Sequence, residues 1–503
     1  MELSTNRVFN SRLIYDEALP EKFRVANSFW DWLKRIISWI WSPSSYSAEN
    51  RLTLHCFKKY LLDTLGEERL QRICTRYSLD LEAMEKKGSP LLSRHVAKIV
   101  IGARNVSVED INDFLQKSPS DSCFSGKNSF LDLDSATLAG VIERLSDPFE
   151  GRWKVADIAK RISGRPTEWI ASWIYDPFSA DRERLEVSRE NPTDSFEVFM
   201  HNMVARVIKR EMDVGTLVPA PNHPSGRPQF YYVSGKLISG EGMISYIFHP
   251  ATADTNLEPM RLFRGTAARN SEIDGVSTVI TDLEPDLGRT AYESGLVYEP
   301  FIREKLGQPR IEGGHSLGAT LVQYRLASEL DHMNHIEKAY LFCGPGVPRK
   351  EAEKFNRKNP KVHLFIRRST KDPSVKAGEV HLGHQAPSNV QVDYWKYHAP
   401  RKKMDQAAHV AVWGREKKVH VGIEGGMPTE KRNREFYHKD NWIERLRSTF
   451  GPPIARRLRS LRNRCRSHFS SRAELEQGLK IGSMQKGRWH VDHFKPTPYT
   501  SLA

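Results

Sequence analysis

Read by its apolar and polar positions, the chain changes period more than once. The first marked stretch is 29–41, Phe-Trp-Asp-Trp-Leu-Lys-Arg-Ile-Ile-Ser-Trp-Ile-Trp. At about 100° per residue, Phe29, Trp30, Leu33, Ile36, Ile37, Ile40 and Trp41 share one side of a helix, and Asp31, Lys34, Arg35 and Ser38 the other. Trp32 and Trp39 lie together on a flank. Such a helix suits a lipid headgroup layer or the protein's own core. Pro43, among Ser42, Ser44 and Ser45, predicts its end and a linker, giving a first segment over 1–46. From there apolar residues recur three and four apart over 52–65, 67–77, 91–101 and 133–145, which predicts a mainly helical accessory domain over 47–195. Ser107-Val-Glu-Asp110 and Ser135-Ala-Thr-Leu read as helix starts. Nothing in this half gathers titratable groups into a site.

After about residue 195 the period shortens. Phe230-Tyr-Tyr-Val233, Met243-Ile-Ser-Tyr-Ile-Phe248 and Met260-Arg-Leu-Phe263 are aromatic or β-branched runs bounded by Gly, Pro and Asn. A helical pattern over 295–306 then alternates with Lys338-Ala-Tyr-Leu-Phe342 and Val362-His-Leu-Phe-Ile366. Strand and helix in alternation predict an α/β domain with a mostly parallel sheet over 196–426. Its sites belong at the carboxyl ends of strands.

One stretch there carries chemistry: Gly313-Gly314-His315-Ser316-Leu317-Gly318-Ala319-Thr320. It contains Gly-x-Ser-x-Gly, the pattern of a nucleophile elbow, in which a serine on a tight strand-to-helix turn needs neighbours without side chains. A helix follows over 317–330, and its mouth points the Leu317 N–H toward developing negative charge. The preceding Gln308-Pro309-Arg310-Ile311-Glu312 is too polar for a central buried strand and argues against the elbow.

Composition bounds these readings. The 503 residues have room for two to four domains, and 39% hydrophobic content gives a folded core. The net charge of +14 is uneven. Arg445, Arg447, Arg456, Arg457, Arg459, Arg462, Arg464 and Arg466 crowd the basic region 427–503, with Leu458 and Leu461 interleaved. That fits a solvated surface, or the phosphates of lipid or nucleic acid. Nucleic acid ranks last, since no recognition helix, zinc pattern or aromatic–basic motif accompanies the arginines. The end, Arg488-Trp489-His490-Val-Asp-His493-Phe494-Lys-Pro, reads as a loose terminus. The five cysteines are scattered without metal-ligand spacing, which points to a reducing compartment, no disulfide scaffold and no metal; no cofactor is indicated. Met1-Glu2-Leu3-Ser4-Thr5-Asn6 lacks the features of a secretory leader, and no apolar run is long enough to span a bilayer. A cytoplasmic or peripheral membrane location is therefore expected.

Further landmarks surround the serine. Leu262-Phe263-Arg264-Gly265-Thr266 precedes it, and Phe342-Cys-Gly-Pro-Gly-Val-Pro348, Lys371-Asp372-Pro373-Ser-Val375 and His381-Leu-Gly383 follow. Together with 314–319 and the helical pattern within 282–305, they resemble, in order and spacing, the class 3 (fungal-type) lipases over roughly 225–425. The resemblance implies an α/β-hydrolase domain, preceded here by the helical one. It makes Ser316 the nucleophile and Asp372 the acid that orients a histidine. Backbone N–H groups of Thr266 and Leu317 become oxyanion donors, with the Thr266 hydroxyl a third candidate. His409, in Asp405-Gln-Ala-Ala-His409-Val-Ala-Val-Trp413, resembles the family's base, with His420 and His438 as alternatives; His381 and His384 match a non-catalytic position. The family carries a lid where this chain has 267–283, with Ile273, Val276, Val279 and Ile280 on an apolar side. Three departures mark a distant relative: the polar strand before Ser316, Cys343 in place of a glycine, and Ala319 in place of a second glycine. The expected function is a serine hydrolase of lipid or other acyl esters. Trp30, Trp32, Trp39 and Trp41, with Arg456, Arg457 and Arg459, would meet an anionic membrane. The rival reading is an inactive binding protein that keeps the hydrolase fold.

Overall fold

The apolar periodicity of the first half closes as packed helices in the computed structural model. The structure describes residues 12–15, 23–26, 43–77, 79–117, 127, 129–146, 195–204, 208, 212–266, 275–328, 335–358, 360–369, 373–397, 423–424, 430, 434, 436–437, 442–464, 477–485 and 488–495. Two compact units divide the chain, Met1–Ala180 and Asp181–Ala503. The first holds an antiparallel ribbon of β1 (Arg12–Tyr15) and β2 (Phe23–Ala26), with helices Pro43–Leu65, Glu67–Arg76, Leu81–Lys87, Ser93–Arg104, Val108–Lys117 and Ser135–Ser146. Leu54, Phe57, Leu61, Leu70, Ile73, Val96 and Ile99, at the expected spacing, share one buried cluster with Leu13. Ser107 opens its helix as the sequence suggests: its Oγ accepts from the Asp110 N–H at 3.2 Å, and Asp110 Oδ2 accepts from the Ser107 N–H at 2.9 Å.

Pro43 behaves differently from the expectation. It begins the helix Pro43–Leu65 rather than a linker. Proline suits a first turn because its missing N–H is one that the helix leaves unbonded anyway. The tryptophan stretch 29–41 lies outside the described residues.

The second unit is built on one mixed sheet: β3 (Leu217–Ala220), β4 (Gln229–Ile238), β5 (Ile244–Pro250), β6 (Met260–Phe263), β7 (Ile311–His315), β8 (Lys338–Phe342), β9 (His363–Ser369), β10 (Gln391–Tyr397), β11 (Ile423–Glu424), β12 (Gly478–Gln485) and β13 (Arg488–Phe494). Their order is β11-β10-β9-β8-β7-β6-β5-β4-β12-β13, with β3 also beside β4. β6 to β10 run parallel, in chain order, and antiparallel strands flank them. The α/β class follows from this alternation. The supposed loose terminus is instead strand β13, paired with β12, which joins β4.

Crossovers that advance along a sheet in one direction with one hand put their helices on one face. On that face Phe263, Ala339, Leu341, Leu364 and Ile366 pack with Ile302, Leu321, Val322, Ala352 and Phe355 of the crossover helices. Met260, Leu262, Tyr340 and Phe342 point the other way, where Phe199 and Met200 of the helix Ser195–Asn202 cover them. A buried salt bridge fastens this helix: Arg367 of β9 grips Glu197 with Nε and Nη2, the latter at 2.6 Å, and also holds Asp393 of β10. No helix among the described residues is long and apolar enough to cross a membrane.

Candidate active site

Ser316 stands where the carboxyl end of β7 meets the helix Leu317–Ala327. Its backbone sits at φ 54°, ψ −127°, a conformation that L-residues avoid and that a sharp strand-to-helix turn imposes. The Ser316 N–H donates to the Phe342 carbonyl at 2.9 Å, and its own carbonyl accepts from Ala319 N–H at 2.9 Å. No side-chain hydrogen bond caps the helix from Ser316, so its hydroxyl is not spent on the backbone of the first turn.

The turn needs its glycines. A Cβ on Gly314 would collide with the backbone of Gly318 and Ala319, and one on Gly318 would collide with the Phe263 carbonyl. Gly313 faces the other side of the sheet, where a side chain would run into Met200 and Leu262. The two adjacent glycines therefore serve opposite faces, one for the elbow and one for the helix Ser195–Asn202.

The polar strand has an explanation. Arg310 lies at the entry to β7 and reaches Glu258 at 2.9 Å, and also pairs with Glu337. Glu312 is fully buried, but Arg325, on the helix after Ser316, binds it through Nε. Arg325 Nη1 holds Glu299 at 2.5 Å, and Glu299 also takes Arg261 Nη1 at 2.6 Å. Two guanidinium and two carboxylate groups thus neutralise one another inside the core. Burial alone would raise the Glu299 pKa, but Arg261 and Arg325 outweigh it and hold that carboxyl down at about 2.

The segment before Ser316 in the sheet order lies against the elbow. A Cβ on Gly265 would come 2.5 Å from the His315 carbonyl oxygen and 3.5 Å from Ser316 Cβ. This brings Thr266 beside the mouth of the helix. Leu317, the first residue of that helix, packs its buried side chain with Leu287 and Ala377, and N–H groups of a first turn have no acceptor within the helix. The Thr266 hydroxyl, however, donates to Asp282 Oδ2 at 2.5 Å. In this conformation it is committed to Asp282. Burial pushes the Asp282 carboxyl up to about 7, against the pull of the Thr266 hydrogen bond and of Arg447.

The later landmarks converge on the same helix. Gln323, fully buried, donates to the Pro345 carbonyl at 2.7 Å and accepts from Leu382 N–H at 3.2 Å. Val347 bridges to Val380, and Val380 to Tyr437. His381 is completely buried and stacks on Phe436 with ring centroids 5.3 Å apart, a packing role. Cys343 takes φ 47°, the left-handed conformation that glycine adopts without strain, which explains why a glycine suits that position. Gly344 in turn makes room for the Ala319 methyl.

Of the predicted site, Ser316, Leu317 and Thr266 are brought together. Asp372, His409, His420 and His438 lie outside the described residues. Asp282, Gln323 and the Glu312–Arg325 pair were missed in the sequence. Gln323 carried the clearest signal, as an amide within the otherwise small and apolar Leu317-Gly-Ala-Thr-Leu-Val-Gln-Tyr. Set against family models, curated proteins and solved structures, the chain matches none of them.

Proposed function

We propose that the unit Asp181–Ala503 is an α/β-hydrolase domain acting as a serine ester hydrolase on lipid or related acyl esters. The observation that carries this reading is the backbone of Ser316: a positive φ at the end of a central parallel strand, clasped by Gly314 and Gly318, with Gly265 alongside. A buried structural serine has no need of so strained a turn, whose effect is to present a hydroxyl and a helix mouth to the same point.

In this reading Ser316 Oγ attacks the acyl carbon while His409 takes its proton, and Asp372 orients the imidazole. The N–H groups of Leu317 and Thr266 hold the oxyanion. The alcohol leaves with the proton from His409, and water then releases the acyl group by the same route. The Gly275–Asp282 helix forms part of the lid, and the helices of Met1–Ala180 make an accessory domain.

A fluorophosphonate probe tests the reading directly. The native full-length chain is expected to be labelled, with the adduct on Ser316 by peptide mapping, while Ser316→Ala and the heat-denatured chain are not. A folded native chain that resists the probe would favour the inactive binding protein instead.

A further inference from the structure

Within the basic region after residue 426, Trp442–Arg464 is one long helix with Pro452 and Pro453 inside it. Its inner face is accounted for. Gly451 and Ala455 are buried, and a side chain on Gly451 would strike the Leu283 carbonyl. Glu444, the sole acid between 442 and 464, forms a bidentate pair with Arg447, at 2.8 and 2.5 Å, and accepts from the Gly378 N–H at 2.7 Å. Arg447 also donates to the Pro285 carbonyl at 3.0 Å, and Arg459 pairs with Glu284. The helix is therefore anchored to the segment just beyond Asp282, whose carboxylate receives the Thr266 hydroxyl.

The outer face has the opposite character. Leu446, Phe450, Ile454 and Leu461 are 47%, 60%, 48% and 49% exposed. At about 100° per residue these four fall within an arc of about 80°, on the side away from Gly451 and Ala455. Exposed Arg457 lies within that arc, and exposed Arg445 and Arg456 lie about a quarter-turn to one side of it. An open depression of about 560 Å³ is lined by Pro453, Arg456, Arg457, Ser460 and Leu461. Arg459, turned to Glu284, takes no part.

We propose that this outer face is a docking surface for an anionic lipid bilayer. Charge and shape select that occupant over others. Apolar side chains in a row suit shallow insertion below the headgroups, and cations on and beside the row suit the phosphates above. With its one acid buried against Arg447, the helix puts no carboxylate of its own on that face to repel an anionic surface. A nucleic acid would leave Phe450 and Ile454 in water, and a second copy would bring arginines against arginines. The proposal deepens the function above by naming where the acyl ester is met, and it rests on that reading only for its purpose.

Cosedimentation of the full-length Ser316→Ala chain with vesicles tests it without any hydrolysis. Binding to equal parts of phosphatidylcholine and phosphatidylserine is expected to exceed binding to phosphatidylcholine alone. The double variant Arg456→Gln with Arg457→Gln is expected to weaken it about fivefold per arginine at low salt, and less at high salt. Phe450→Ser with Ile454→Ser is expected to weaken it about tenfold or more at every salt concentration. All these residues are exposed, so circular dichroism and melting should stay unchanged, as should turnover of a soluble short-chain ester by the same variants carrying Ser316. The proposal is overturned if the parent ignores anionic vesicles or if both variants bind like the parent. Tighter binding to an RNA oligomer, or a dimer that Phe450→Ser disperses, would overturn it too. Absence of ester turnover in the chain that carries Ser316, with vesicle binding intact, would count against the hydrolase reading alone.

Discussion

Arg325, on the helix that follows Ser316, reaches back thirteen residues to bind Glu312, on the strand that leads into Ser316. The two sides of the elbow are thus joined by a buried charge pair as well as by the turn itself. Removing one partner of such a pair strands the other in the core. Arg325→Met is expected to lower unfolding free energy by about 3–5 kcal/mol. Adding Glu312→Gln to it should restore part of that loss. Urea denaturation followed by tryptophan fluorescence measures both; a double variant worse than the sum of the singles would dissolve the idea of a pair.

Glu299 sets the behaviour of the same network in acid. Its folded pKa is depressed to about 2 from an ordinary 4.5. The stability it contributes is therefore present above about pH 4.5 and lost as pH falls toward 2. Glu299→Gln is expected to flatten that part of the stability profile between pH 5 and pH 2.5. Urea midpoints at a series of pH values would show it, and an unchanged slope would remove Glu299 from the account of acid unfolding.

Asp282 works in the opposite sense. Burial raises its folded pKa from 3.8 to about 7, so the folded chain binds a proton that the unfolded chain has released, and stability falls as pH rises through that window. Asp282→Asn is expected to exceed the parent in unfolding free energy at pH 8 by about 1–2 kcal/mol, a figure discounted for its residual contact with water, and to show no such gain near pH 4 in urea titrations. Gains of equal size at both pH values would show that charge has no part in it.

Gly318 tests the backbone of the turn. An added methyl meets the Phe263 carbonyl, which is strand backbone and has nowhere to move. Gly318→Ala is expected to cost about 2 kcal/mol or more and to abolish turnover. Gly307→Ala is a control where a methyl finds open space. Its cost should be confined to strain at φ 70°.

The catalytic assignment is read by kinetics. Ser316→Ala is expected to lower kcat by about 10³-fold or more, His409→Ala by nearly as much, and the pair by little beyond either alone. Alanine variants of His420 and His438 should retain turnover. If His420→Ala is the inactive one, the base is reassigned and the mechanism stands.

How far the sequence anticipated the structure depends on which force held each element. The helices of Met1–Ala180, and β6 and β8, were legible because burial alone specifies them, and burial leaves a period. β7 is hidden in the sequence by its polar residues, because its buried glutamate is compensated by an arginine that no local window contains. β13 reads as a loose end in the sequence because most of it faces water: Arg488, His490, Val491, Asp492 and His493 are exposed, while Trp489 and Phe494 pack against the core and the ladder with β12 holds the strand in register. At the site, Ser316, Leu317 and Thr266 could be placed by motif. Asp282 could not, since an aspartate at a helix end resembles any surface carboxylate until its hydrogen-bond partner is known.

The pairing of β4 with β12 bears on how the chain comes into being. Residues 235–238 of β4, in the middle of the sequence, hold 478–481 of β12, from near its end, and Leu237 and Ile238 are buried there. During synthesis that length of β4 leaves the ribosome long before its partner exists. Until then it presents an apolar, unpaired strand edge to any neighbouring nascent copy. Chains that stop short of β12 keep that edge for good, and on this topology they should aggregate rather than merely lose a tail.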